Sequence, residues 1–261
     1  MGKKISLLLV GGCVLLLTCF GILFSYPFGT GPTEATFKTT DSEEFVSSGS
    51  VSIESQLHAE FEATVSRGDT AHIHIIHDHG SYGIERYYRG DYQYNKYVSA
   101  TSDEEWIDAR LTGSDVEVIH REDSGERLVL ITKEYANSET IGSDHALVFE
   151  TLQLTDYTKA SDASDSVNQE YTPKDVWAQA GSEEYRITDS TGYMITEQET
   201  NVLKEASVAF TYTEASWYGD YLTNDGYQIE VEYKYDSEPG IDEVEPPAWV
   251  EHCVDNDDCE L

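Results

Sequence analysis

Tyr227-Gln228-Ile229-Glu230-Val231-Glu232-Tyr233-Lys234-Tyr235 alternates apolar or aromatic with polar residues without a break. Along an extended chain Tyr227, Ile229, Val231, Tyr233 and Tyr235 point one way, while Gln228, Glu230, Glu232 and Lys234 point the other. Strict period-two alternation of this kind describes a strand with one apolar and one wet face. The same pattern returns far upstream, where Leu57, Ala59, Phe61, Ala63 and Val65 alternate with His58, Glu60, Glu62 and Thr64. Val51 and Ile53 extend that apolar face, and Val208, Phe210 and Tyr212 share another. Glu122-Asp123-Ser124-Gly125-Glu126 separates the strand candidates Val116–Arg121 and Leu128–Tyr135, and Gly90-Asp91 joins Tyr82–Arg89 to Tyr92–Val98. Both connections have hairpin chemistry. These segments predict an antiparallel sheet with one face in water.

Helix signals are few. Asp144–Leu154 is predicted as a short helix with Asp144 as N-cap, and Pro173–Gly181 as another, with Pro in the first turn and Gly as the stop. Asp103–Asp108 reads as a single helical turn, and Ser161–Gln169 as a polar loop dividing the domain into two lobes of one sheet. A large one-sided sheet has to cover its apolar face. With so few helices, the expected architecture is mainly β with some α. A curved antiparallel sheet of half-barrel form holds a few short helices.

Before this domain lies an uncharged apolar run, Ile5–Phe24, preceded by Lys3 and Lys4. Twenty helical residues rise about 30 Å, enough to cross a hydrocarbon core. The run exceeds the roughly 7–15 apolar residues of a cleaved signal peptide, and no Ala-x-Ala site follows it. It is therefore expected to be one N-terminal transmembrane helix. The lysines favour a cytoplasmic N-terminus, which makes the protein single-pass in the cell membrane with its C-terminal domain extracellular. The alternatives are a cleaved signal and lipidation at Cys13, since Val10-Gly11-Gly12-Cys13 is similar to a lipobox. The expected organisation is an anchor over 1–26, a Gly/Pro/Thr-rich tether over 27–44, a β domain over 45–250 and an acidic, solvated tail over 251–261.

Charge narrows the function classes. The chain has 50 Asp and Glu against 16 Lys and Arg, a formal net charge of −34 and a pI near 4.2. Such a surface repels itself in dilute solution, and molar salt, with a Debye length of about 3 Å, screens that repulsion. The composition fits a protein of an extreme halophile and excludes nucleic-acid binding, which needs a basic footprint. With 18 Tyr, 8 Phe and 4 Trp, the chain has too much apolar material to be disordered throughout. No Ser-His-Asp elbow, phosphate-cradling glycine loop or Cys-x-x-Cys is present, so no catalytic role is expected.

Three features together resemble the LolA/LppX-like carrier fold, especially the halophilic-archaeal surface lipoproteins of that architecture. They are the long early strand Leu57–Val65, the aromatic hairpin Arg86–Val98, and the closing Val244-Glu245-Pro246-Pro247-Ala248-Trp249, which is similar to the family's V-x-x-P-x-W. The resemblance implies a half-open barrel with helices in its concavity, often with a lipid or a lipoprotein acyl chain as partner. In this chain Phe61, Ile73, Ile75, Phe210, Ile229 and Val231 are the expected cavity lining. A competing expectation is that these residues simply pack on Leu147, Phe149, Leu152 and Trp177 and leave no cavity.

Two further motifs carry chemistry. His72-Ile73-His74-Ile75-Ile76-His77-Asp78-His79 places imidazoles on alternate residues, an arrangement that can bind zinc or copper through His72, His74, His77 and His79, with Asp78 as a further ligand. On a strand, however, His72 and His74 have the opposite parity to His77 and His79. Cys253 and Cys259 lie on the exterior side of the anchor, where a disulfide persists, and are expected to pair.

Overall fold

The structure, a computed structural model, describes residues 37–38, 44–54, 57–66, 70–77, 81–100, 111, 116–136, 146–160, 167–180, 182–237, 240–255 and 259. The apolar run Ile5–Phe24, Cys13, Asp78, His79, Asp103–Asp108 and Asp144 lie outside the described residues. Among the described residues, no helix is long and apolar enough to cross a membrane.

The first half of the chain is a meander: β1 (Phe45–Ile53), β2 (Leu57–Val65), β3 (Thr70–His77), β4 (Tyr82–Arg89), β5 (Tyr92–Ser99), β6 (Glu117–Asp123) and β7 (Leu128–Tyr135). Helix α1 (Ala146–Leu152) follows, then β8 (Asp156–Lys159), β9 (Asn168–Lys174), β10 (Val176–Ala180), β11 (Glu183–Glu197) and β12 (Leu203–Glu214). A short helix, α2 (Tyr218–Thr223), leads into β13 (Tyr227–Asp236), and the described chain closes with α3 (Ala248–Val250) and a π-helical turn, Glu251–Asp255.

All thirteen described strands form one open, curved antiparallel sheet in the order β6-β7-β5-β4-β3-β2-β1-β13-β12-β11-β9-β8, with β10 also on β11. Its two halves meet where β1 pairs with β13, Val51 opposite Val231 and Ile53 opposite Ile229. The division lies there, not at Ser161–Gln169, of which Asn168 and Gln169 already belong to β9. Tyr82–Arg89 and Tyr92–Ser99 pair across Gly90, whose φ of 59° is the left-handed conformation that a tight turn asks of glycine.

Alternation sorts the strand residues onto two faces. The inner face packs against α1, where Phe149 and Leu152 join Phe61, Phe210, Ile229, Val231 and Tyr233 in the main core. Phe149 sits edge-on to Tyr233 with ring centroids 5.4 Å apart. Gly49 in β1 leaves room for the ring of Phe61 on β2, and a β-carbon there would lie 2.6 Å from that ring. The aromatic side chain thus occupies the space over the glycine.

Two expectations are corrected. Val176–Ala180 is a strand, not the helix expected over Pro173–Gly181. Val176 and Trp177 are β-branched and aromatic, and β11 offers an open edge on which they pair opposite Ile187 and Arg186. Pro173 falls in β9, which pairs with β11 only as far as Tyr171, so its missing N–H breaks no ladder on that side. The tail is also more than a solvated appendage. Trp249, Val250 and Cys253 are buried against Tyr87, Tyr94 and Ile131 on the outer face. Arg89 donates two hydrogen bonds to Asp255, at 2.8 and 3.2 Å, and Cys253 is disulfide-bonded to Cys259. Upstream of α3, Val244 N donates to Thr70 Oγ1 at 3.0 Å, and Tyr87 Oη donates to Val244 O at 3.3 Å. This strap covers tyrosines that period-two reasoning leaves in water.

Candidate functional site

Between α1 and strands β1 to β4, a cavity of about 250 Å³ opens on the inner face. Its floor comes from register. Phe61 pairs opposite Ile75, and Ile75 opposite Ile84, so three inward side chains line up across three strands. Val51 and Ala59 extend the floor along β1 and β2, and Leu147 and Val148 of α1 form the roof. His77 and Arg86 are the polar side chains of inward parity in this lining. Glu60 contributes to the wall, but its carboxylate belongs to the outer face, where it accepts a 2.7 Å hydrogen bond from His58 Nε2.

The cavity borders a buried polar ladder on the same face. Arg86 pairs opposite Asn95, which is fully buried. Asn95 Nδ2 donates to Glu134 Oε1 at 2.7 Å and Gln93 Nε2 donates to Asn95 Oδ1 at 2.5 Å. Buried amides of this kind must be hydrogen-bonded to each other or lose about 1–3 kcal/mol each. The apolar row through Phe61, Ile75 and Ile84 continues beyond β4 into Tyr97 and Leu130, and the polar ladder lies beside it, in the rows through Arg86 and Asn95.

The six residues expected to line a cavity divide into three groups. Phe61 and Ile75 do so. Phe210, Ile229 and Val231 are consumed in the main core that also holds Phe149 and Leu152, and Ile73 is buried with Phe45, Ala63, Val65 and Tyr88 instead. Trp177 stands apart from the main core, edge-on to Tyr221 with ring centroids 6.0 Å apart and under the Arg186 guanidinium. Alternation assigned a face correctly but could not say which stretch of that face α1 fills. Arg86, Ile84, Ala59 and Val51 are cavity residues that the sequence did not single out. The signal for them is the register of four strands, which is not written in any one of them.

Of the histidine run, the described His72, His74 and His77 do not converge. His72 and His74 project from the outer face and His77 from the inner, where its ring lies 5.5 Å from that of Tyr82. His72 Nε2 is 2.9 Å from Glu85 Oε1, and Lys96 Nζ approaches the other carboxylate oxygen at 3.8 Å. Burial alone would raise the Glu85 carboxyl, but the bond to His72 and the charge of Lys96 prevail and hold it below its usual range. Among the described residues no three His, Cys, Asp or Glu side chains are grouped to hold a metal ion. Burial pushes the phenol of Tyr185 up to about 12 and those of Tyr157 and Tyr233 higher still, and the protonated Tyr157 Oη donates to Leu152 O at 2.9 Å.

Compared with protein families, with curated proteins and with solved structures, the chain matches none, so the reading of this site rests on its own geometry.

Proposed function

We propose that this chain is a membrane-anchored, cell-surface binding protein of an extreme halophile that holds an apolar or lipidic ligand without catalysis. In this reading Ile5–Phe24 is the anchor, the sheet is a half-open barrel of the LolA/LppX-like kind, and the ligand lies between α1 and the sheet. The observation that carries it is the cavity under Leu147 and Val148, floored by Phe61, Ile75 and Ile84. A domain that closes its core fully has few voids larger than a water molecule. This one stays open where the helix meets the sheet. An apolar chain entering that space removes its own surface and that of the lining from water, worth about 0.8 kcal/mol per buried methylene.

The full chain, reconstituted in nanodiscs at molar KCl, is dialysed to equilibrium against radiolabelled octanol, with protein-free nanodiscs as the blank. Saturable binding is expected, and it should disappear in Ala59→Trp, whose indole fills the floor. Circular dichroism checks that the sheet survives in the variant. Absence of saturable binding, or binding untouched by Ala59→Trp, refutes the proposal.

A further inference from the structure

We infer that this site selects by length: it takes a single aliphatic chain to a depth of about eight to ten carbons, with Leu147 of α1 setting the limit. This deepens the reading above and rests on it. Volume gives the capacity. A cavity of about 150 Å³ holds the six carbons of benzene, and a water takes about 30 Å³ of liquid. By either measure a cavity of about 250 Å³ holds about eight to ten carbons. A two-chained membrane lipid, each chain spanning half of a hydrocarbon core about 30 Å thick, far exceeds that. Of such a molecule only one chain end enters.

Register gives the shape. Val51 pairs opposite Ala59 in one row, and Phe61, Ile75 and Ile84 line up in the next. The floor thus crosses β1 to β4, or about 14 Å, while its two rows cover only about 7 Å along the strands. Spread over that floor, the volume is a shallow layer one chain thick. Both ends of the floor meet packed side chains. Past β4 the row continues into Tyr97 and Leu130, which are buried with Ile84 in a cluster of their own. On the other side Val51 pairs opposite Val231, which is buried in the main core with Phe149 and Leu152. A chain lying across the strands stops there, and any further carbons stay outside. Above it, α1 packs on β1 and β13, with Val148 buried and Leu147 half-buried over the cavity. Leu147 is therefore the roof residue that can be shortened without emptying a fully buried position.

The dialysis experiment extends to butanol, hexanol, decanol and dodecanol beside octanol, each fitted against its free aqueous concentration. Burial of each methylene tightens binding about fourfold, so affinity is expected to climb steeply from butanol through octanol. Dodecanol should then bind within about twofold of decanol, where a groove without a limit gives about sixteenfold. From octanol upward one molecule should bind per protein chain. Leu147→Ala removes carbons from the roof and should move the break to longer chains, so that dodecanol binds about tenfold more tightly than decanol. Affinity that keeps climbing to dodecanol in the unaltered chain, or two octanols bound per chain, refutes the length limit and leaves the apolar pocket standing. A break that stays in place in a Leu147→Ala protein with the parent's circular dichroism refutes the part given to the roof. If no alcohol binds, both readings fall. The series in the unaltered chain needs no variant, so a misfolded Leu147→Ala protein does not leave the question open.

Discussion

Gly49 offers the sharpest test of the packing described above. It sits in the middle of β1, opposite Phe61 on one side and Tyr233 on the other. A β-carbon built there lies 2.6 Å from Phe61 Cε1 and 2.8 Å from the main-chain oxygen of Glu232. The ring can give way toward the cavity it lines, but the oxygen belongs to a strand whose ladder fixes it. Overpacking of this kind costs about 1–3 kcal/mol. Alanine also relieves the backbone entropy that glycine loses in a strand, about 0.5–1 kcal/mol. The clash prevails, and Gly49→Ala should be destabilised by about 1–2 kcal/mol. Urea titration in constant molar KCl should move the midpoint down by roughly 0.5 M with the slope unchanged. Phe61→Leu removes Cε1 and Cζ, leaving only the Glu232 contact, so the double variant should lose at least about 0.5 kcal/mol less than the two single losses together. A Gly49→Ala protein as stable as its parent, or strict additivity with Phe61→Leu, refutes the argument.

The remaining predictions concern charge and the strap. The Glu85 carboxyl is held below its ordinary value of 4.5, so its contribution is complete above about pH 4.5 and is lost as the pH falls through the lower, folded value. Acid unfolding followed by fluorescence should be shallower below pH 4.5 in Glu85→Gln, and an identical profile would remove that assignment. Opening the Cys253–Cys259 loop by Cys259→Ser should cost about 2 kcal/mol on the chain-entropy view and expose Trp249, seen as a red-shifted emission; no loss would mean that the strap holds by packing alone. Raising KCl from about 0.1 M to about 1 M shortens the Debye length from about 10 Å to about 3 Å. With a net charge of −34 the melting temperature should climb steeply over that range, and a flat response contradicts self-repulsion as the main force opposing the folded state at low salt.

What the sequence determined by itself is what period and composition encode locally. Alternation in Leu57–Val65 and Tyr227–Tyr235 identified strands and assigned their residues to faces, because a side chain's direction depends only on its neighbours along the strand. Turn chemistry located the Gly90 and Gly125 hairpins for the same reason. Tertiary structure decided the rest. Val176–Ala180 extends because an open edge of β11 lies beside it, and Tyr87 is buried because a strap from residues 244–255 crosses it. The cavity was beyond the reach of sequence for a stronger reason. Phe61, Ile75, Ile84 and Arg86 belong to three strands, and only the pairing of β2, β3 and β4 puts them side by side. Ile229, with the same pattern, lies on β13, one of the two strands against which α1 packs, and is buried in the main core. Register and helix placement are set by contacts between residues far apart in the chain, so no local pattern records them.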